Sequence, residues 1–178
     1  MELKFVKTEL PGVVLVEPVV HGDARGYFTE LYHREKYLAG GIESDFVQDN
    51  FSHSAKGVLR GLHYQVQKPQ AKLVTVLSGE IFDVAVDIRR DYPTFGKWVG
   101  VHLSGENKRQ IFVPKGFAHG FCVLSEFADV HYKCSSFYDP KDERGILWSD
   151  PGIGIRWPER EPSVSPKDAE HPLLKEAL

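Results

Sequence analysis

The 178-residue chain has only two cysteines and one methionine. Cys122 and Cys134 are too few for an all-cysteine zinc cluster. The start Met1-Glu2-Leu3-Lys4-Phe5 is too polar to read as an export signal. The two cysteines are therefore expected to be reduced, buried thiols of a cytoplasmic protein. No apolar run approaches the roughly 18 residues that a membrane helix needs. Positive charge is not in excess, since 22 Lys and Arg face 25 Asp and Glu for a net −3. That balance counts against a general nucleic-acid binder, but a few placed Arg and Lys suffice for a local anion site. Repeats and low-complexity stretches are missing, and no linker interrupts the chain before about residue 150. With 42% hydrophobic and 26% charged residues, the composition argues against disorder. The length suits one domain spanning 1–178.

Turn formers and aromatics are plentiful: 16 Gly, 11 Pro and 12% aromatic residues. The middle of the chain reads as strand after strand. Lys72 to Leu77 is β-rich and ends at Ser78-Gly79-Glu80. Ile81 to Ile88 alternates, with Phe82, Val84, Val86 and Ile88 on one face and Asp83 and Asp87 on the other, which predicts a strand with one buried face. Trp98 to Leu103 and Gln110 to Val113 follow. His119 to Leu124 and Phe127 to Phe137 flank a hairpin turn at Ser125-Glu126. Earlier, strands at Gly12 to Val20 and Tyr27 to Tyr32 frame a turn from His21 to Gly26. Arg34 to Gly40 is the clear helix candidate of the first half, and the tail from about 158 is expected to pack on the outside as turns and a short helix. Short strands with few helices argue for an all-β sandwich or jelly roll, with an interior wide enough for a small ligand.

Four segments could carry chemistry. In Arg60-Gly61-Leu62-His63-Tyr64-Gln65, His63 and Gln65 share a face with Gly61, which lets a ligand approach the backbone. Lys72 shares a face with Val74 and Val76, either as a strand-end charge reaching for solvent or as a charge aimed into a pocket. His119 opens a strand after Pro114-Lys115-Gly116, on the face of Phe121 and Val123. Tyr132 alternates with Val130 and Cys134 on an inward face, as a core residue or as a proton donor that is protonated at neutral pH. In Ser165-Pro166-Lys167-Asp168, Ser165 fits a helix N-cap, Pro166 the first helical position and Asp168 the capping-box acid, so capping is the reading this segment favours by itself. A His-x-His metal pair is spoiled by Gln65, a poor ligand for transition metals, and the site reads as metal-free.

Taken together, these residues resemble the dTDP-4-dehydrorhamnose 3,5-epimerases, metal-free members of the cupin superfamily. The resemblance runs through Asp23-Ala24-Arg25-Gly26-Tyr27-Phe28-Thr29-Glu30, Gln48-Asp49-Asn50-Phe51-Ser52, Arg60-Gly61-Leu62-His63 and Gln70-Ala71-Lys72-Leu73-Val74. It continues through Val113 to Phe121, Tyr132-Lys133-Cys134, Gly145 to Pro151 and Ser165-Pro166-Lys167-Asp168. It implies a cupin-type jelly-roll barrel with a few short peripheral helices, and a homodimer that exchanges strands near the N-terminus. It also implies a dTDP-sugar substrate, no cofactor, and a role in dTDP-L-rhamnose biosynthesis. By the same resemblance, His63 is the general base, Tyr132 the general acid, Asp168 the partner of His63, and Lys72 the cation at the keto oxygen. Arg60 and His119 contact the substrate. Arg25, Phe28 and Glu30 hold the nucleotide, in part across the dimer, with Gln48, Asn50, Glu143 and Lys167. Tyr138 stacks on the thymine. One-centre epimerases of related dTDP-keto sugars and a non-catalytic nucleotide-sugar binder are the alternatives.

The residue types suit such a reaction. A 4-keto group acidifies the hydrogens on its neighbouring carbons, and a neutral imidazole can remove one. A carboxylate behind the imidazole fixes its tautomer, and an ammonium stabilises the enolate oxygen. Inversion needs a second proton donor across the ring, which a phenol supplies.

Overall fold

The computed structural model describes residues 2–177. Its alternating segments pair into two facing antiparallel sheets and a separate hairpin. The first sheet runs, edge to edge, through β1 (Lys4–Lys7), β2 (Val14–Glu17), β10 (Gln110–Val113), β7 (Lys72–Ser78), β12 (Phe127–Cys134) and β5 (Gln48–Ala55). The second runs through β13 (Glu143–Gly145), β6 (Leu59–Gln65), β11 (Phe117–Val123), β8 (Glu80–Asp87) and β9 (Trp98–Ser104). Strands adjacent in sequence, such as β5 and β6 or β7 and β8, fall in opposite sheets, as in a jelly roll. The β7–β8 crossing turns at Gly79, whose φ is +80° and where a Cβ would lie 2.0 Å from the Phe127 carbonyl oxygen. Only glycine fits there.

Between the sheets lies an apolar core of Val74, Val76, Ile111 and Val130 from one side and Ile81, Ala85, Phe121 and Val123 from the other. The alternation of β8 was expected to bury one face, but the strand buries both. Asp83 and Asp87 are fully buried, and Phe82, Val84 and Val86 pack outward against Ile146, Ile153 and Leu174. The outer face of the second sheet is thus covered by the C-terminal segment. A parallel bridge between Val58 and Ser163 ties that segment to the barrel.

Near the N-terminus the expected Gly12–Val20 strand is split. Pro18, which has no N–H to donate, separates β2 from the hairpin of β3 (Val20–Asp23) and β4 (Gly26–Thr29). Helix α1 (Arg34–Ala39) is anchored by Tyr37, which packs with Val16, Leu73 and Phe112 and donates to Gln110 Oε1 at 2.6 Å. Two more single-turn helices, α2 (Pro166–Ala169) and α3 (Leu174–Ala177), lie in the tail. No helix among the described residues is long and apolar enough to cross a membrane.

Candidate active site

Away from the apolar core, the inward side chains of the two sheets turn polar and enclose a cavity of about 680 Å³. One wall is β6 and β11, where His63 pairs in register with His119. The facing wall is β7, β12 and β5, where Lys72 lies opposite Cys134 and Tyr132 lies opposite Val74 and Asn50. His63 and Tyr132 therefore enter one cavity from opposite sheets. The Lys72 Nζ lies 5.8 Å from the centroid of the Tyr132 ring. Gly61 allows β6 and β11 to approach, since a Cβ there would lie 2.6 Å from the Cα of Gly120.

His63 Nε2 lies 2.7 Å from Asp168 Oδ1, while the Gly61 N–H donates to Asp168 Oδ2 at 3.2 Å. A carboxylate only accepts, so Nε2 carries the ring hydrogen and Nδ1 is left with the lone pair. Burial raises the Asp168 carboxyl, but the His63 contact and the Gly61 N–H outweigh it and hold the group below the usual carboxylate range. Ser165 does cap α2, its Oγ accepting from the Asp168 N–H at 3.1 Å. The Asp168 carboxylate instead reaches into the cavity. The capping motif and the dyad are thus one device, in which the cap fixes the backbone and frees the side chain.

Burial pushes the Lys72 amine below the usual lysine range, against the opposing pull of Cys134, Glu143 and Asp83. Burial, with the neighbouring Cys134, pushes the Tyr132 phenol up and keeps it protonated. On the opposite wall, buried His119 Nε2 contacts both oxygens of Asp83, at 3.0 and 2.9 Å.

The rim is a hydrogen-bonded chain. The Tyr138 N–H donates to Gln48 Oε1 at 2.8 Å, and Gln48 Nε2 donates to Asn50 Oδ1 at 3.0 Å. The Tyr138 hydroxyl donates to Glu143 Oε2 at 3.3 Å, and Lys167 pairs with the same oxygen. Burial raises the Glu143 carboxyl, yet Lys167 and His63 bring it below its ordinary value. Arg60 is held by Ser54, its Nε donating at 3.0 Å.

Ten of the residues singled out in the sequence line this cavity: Gln48, Asn50, Arg60, His63, Lys72, His119, Tyr132, Tyr138, Glu143 and Asp168. Lys167 joins at the rim through Glu143. Arg25, Phe28 and Glu30 lie elsewhere. Arg25 pairs with Asp23 on the hairpin turn with its side chain 89% exposed, Phe28 is 68% exposed, and Glu30 pairs with Lys36 at 2.8 Å. Two residues that do not line the cavity but stand behind side chains that do had not been picked out for a role. Asp83 read only as the polar side of a strand. His171 lies with its Nε2 3.5 Å from Asp168 Oδ1 and its ring edge-on to His63. Burial and the nearby His63 lower its pKa. The Asp168-x-x-His171 spacing was the available signal for it.

A two-sheet barrel holding a carboxylate-backed imidazole, a phenol and an ammonium around one cavity is a cupin-type enzyme equipped for proton transfer. The chain belongs to the dTDP-4-dehydrorhamnose 3,5-epimerase family, whose profile matches residues 7–176. It is 56% identical over 168 residues to dTDP-4-dehydrorhamnose 3,5-epimerase from Shigella flexneri, covering 93% of each chain. Among solved structures it is similar to the dTDP-6-deoxy-D-glucose-3,5-epimerase of Legionella pneumophila in complex with dTDP-4-keto-L-rhamnose. That match has a TM-score of 0.95 and 54% identity, covering 98% of this chain and 94% of that one. It is also similar to a 3′-monoepimerase from Streptomyces bikiniensis in complex with dTDP-quinovose, with a TM-score of 0.89 and 34% identity, covering 94% and 86%.

Proposed function

We propose that this chain inverts carbons 3 and 5 of dTDP-4-dehydro-6-deoxy-D-glucose to give dTDP-4-dehydro-L-rhamnose, in dTDP-L-rhamnose biosynthesis. The observation that carries the reading is that His63 and Tyr132 enter one cavity from opposite walls, with Lys72 beside the phenol. His63 Nδ1 takes the proton from the carbon next to the ketone, and Asp168 stabilises the imidazolium that forms. The electron pair moves onto the keto oxygen, where Lys72 meets the developing charge. Comparable oxyanion contacts are worth about 3–4 kcal/mol. Tyr132 then delivers its proton to the opposite face of the enolate, and solvent restores both groups.

Arg60 and His119 contact the sugar nucleotide from the β6–β11 wall. Tyr138 stacks on the thymine at the rim, where Gln48, Asn50, Glu143 and Lys167 complete the nucleotide site. The chain acts as a homodimer that exchanges strands near the N-terminus. The β3–β4 hairpin and the residue after it then bring Arg25, Phe28 and Glu30 to the partner's cavity, which suits their exposure and their absence from the lining of their own chain's cavity. A planar guanidinium grips diphosphate oxygens in a fork, the role given to Arg25.

A one-centre epimerisation is the second reading, supported by the likeness to the Streptomyces bikiniensis monoepimerase. Incubation with dTDP-4-dehydro-6-deoxy-D-glucose in heavy water separates the two by NMR. Deuterium at carbons 3 and 5 of an L-rhamno product is expected. Label and inversion at one carbon would install the second reading, and an unchanged substrate would overturn both.

A further inference from the structure

We infer that His63, Asp168 and His171 form an inhibitory binding site for a borderline divalent cation such as Zn²⁺. Their donor atoms lie within 4.8 Å of one another. Asp168 Oδ1 sits between the two rings, 2.7 Å from His63 Nε2 and 3.5 Å from His171 Nε2. Two imidazoles and a carboxylate are a common donor set for zinc. With metal–ligand bonds of 2.0–2.2 Å, tetrahedral donors stand about 3.3 Å apart, between the two separations seen here.

His171 supplies the independent pointer. Its side chain is nine-tenths buried, and its Nε2 is fully buried without a hydrogen-bond partner among the described residues, facing Asp168. Such an orphaned polar atom is rare in a folded interior. Its ring lies on Gly145, where a Cβ would stand 2.1 Å from Nε2, so the glycine makes room for it. Because nothing bonds that nitrogen, the ring can tilt to close the remaining edge of the tetrahedron. The Gly61 N–H meanwhile holds Asp168 Oδ2 and leaves Oδ1 for the metal, the outer support that metal-bound carboxylates use.

The consequence for catalysis follows from hydrogen counting and rests on the reading of His63 as the base. A neutral imidazole carries one N–H, here on Nε2. A cation bound at Nε2 releases that proton to solvent, and the neutral ring then carries its hydrogen on Nδ1. The nitrogen that accepts the substrate proton has become a donor. Occupancy therefore lowers kcat while leaving the nucleotide contacts, and so KM, nearly unchanged.

The test uses Co²⁺ as a spectroscopic probe and Zn²⁺ as the inhibitor, on the wild-type chain and on His171→Phe. The wild type should bind one Co²⁺ per chain with the visible absorption of a tetrahedral site. Zn²⁺ should displace the Co²⁺ and depress kcat over the same concentration range. His171→Phe should turn over like the wild type and need ~10-fold or more of either metal. His171→Asn serves should the phenylalanine not fit over Gly145. Absence of the Co²⁺ band, or equal sensitivity of wild type and variants, would overturn the proposal. The Co²⁺ titration decides the site even if the chain were to epimerise nothing, so the two readings fail separately.

Discussion

Lys72 is the side chain whose setting most constrains the chemistry. In the proposed mechanism it stabilises a negative oxygen, yet burial favours its neutral form. The sign is definite: a lowered pKa means the ammonium is lost earlier as pH rises. The alkaline limb of kcat/KM is therefore expected to have its midpoint below the ordinary lysine value of about 10.4. Tyr132 is not the source of that limb, because burial moves the phenol in the opposite direction. Lys72→Met should lower kcat by about 10²–10³-fold and abolish the limb. A pH–rate profile that keeps the limb in Lys72→Met would assign it to another group. At this scale the sequence showed residue types and strand parity, which put Tyr132 inward and left Lys72 undecided. The local pattern could not show that the Asp168 carboxylate, 105 positions from His63, serves the dyad while its N–H keeps the Ser165 cap; only the family resemblance implied that pair. The pairing depends on where the tail docks.

The same lesson holds for elements. Strand β8 was readable from its alternation, but not the burial of its charged side, because Asp83 finds His119 on the neighbouring strand β11 and Asp87 finds partners at the strand end. Strand β5 gave no apolar stripe at all. Its inward positions Gln48, Asn50 and Ser52 line the cavity instead of the core, so a pattern built on hydrophobicity passes over it. The end of β8 offers a stability test. Asp87, fully buried, accepts from the Arg89 N–H and Nε, both at 2.9 Å, from Nη2 at 2.6 Å and from the Thr94 hydroxyl at 2.6 Å. Asp87→Ala strands a mostly buried guanidinium and should cost about 3 kcal/mol at pH 7. Burial raises the Asp87 carboxyl, but Arg89 and Thr94 outweigh it and leave it below the unfolded value. Its contribution is therefore complete above the unfolded pKa near 3.9 and is lost as pH falls through the lower folded value. Urea melts should show the mutant's deficit at pH 7 and a shrinking deficit below pH 4. A deficit independent of pH would deny the ion pair its role.

At the scale of the whole molecule, turn density and short strands pointed to an all-β sandwich or jelly roll. The cupin-type barrel followed from the ordered motifs, and the two facing sheets agree with it. The residues gathered in the cavity come from strands of both sheets and from the tail, an assembly that no local pattern displays. Strand exchange has a direct test of its own. Arg25→Ala and His63→Ala, each inactive alone, should regain activity when unfolded and refolded together, because a mixed dimer holds one site with both native residues. Refolded mixtures no more active than the parents would place Arg25 outside the partner's site.

The division of labour between imidazole and phenol is tested most directly by Tyr132→Phe in heavy water. Deuterium should enter the substrate next to the ketone at close to the wild-type rate, while inversion falls by about 10² or more, since proton removal survives and delivery to the far face does not. Inversion at the wild-type rate, or exchange lost in step with inversion, would contradict the two-wall mechanism.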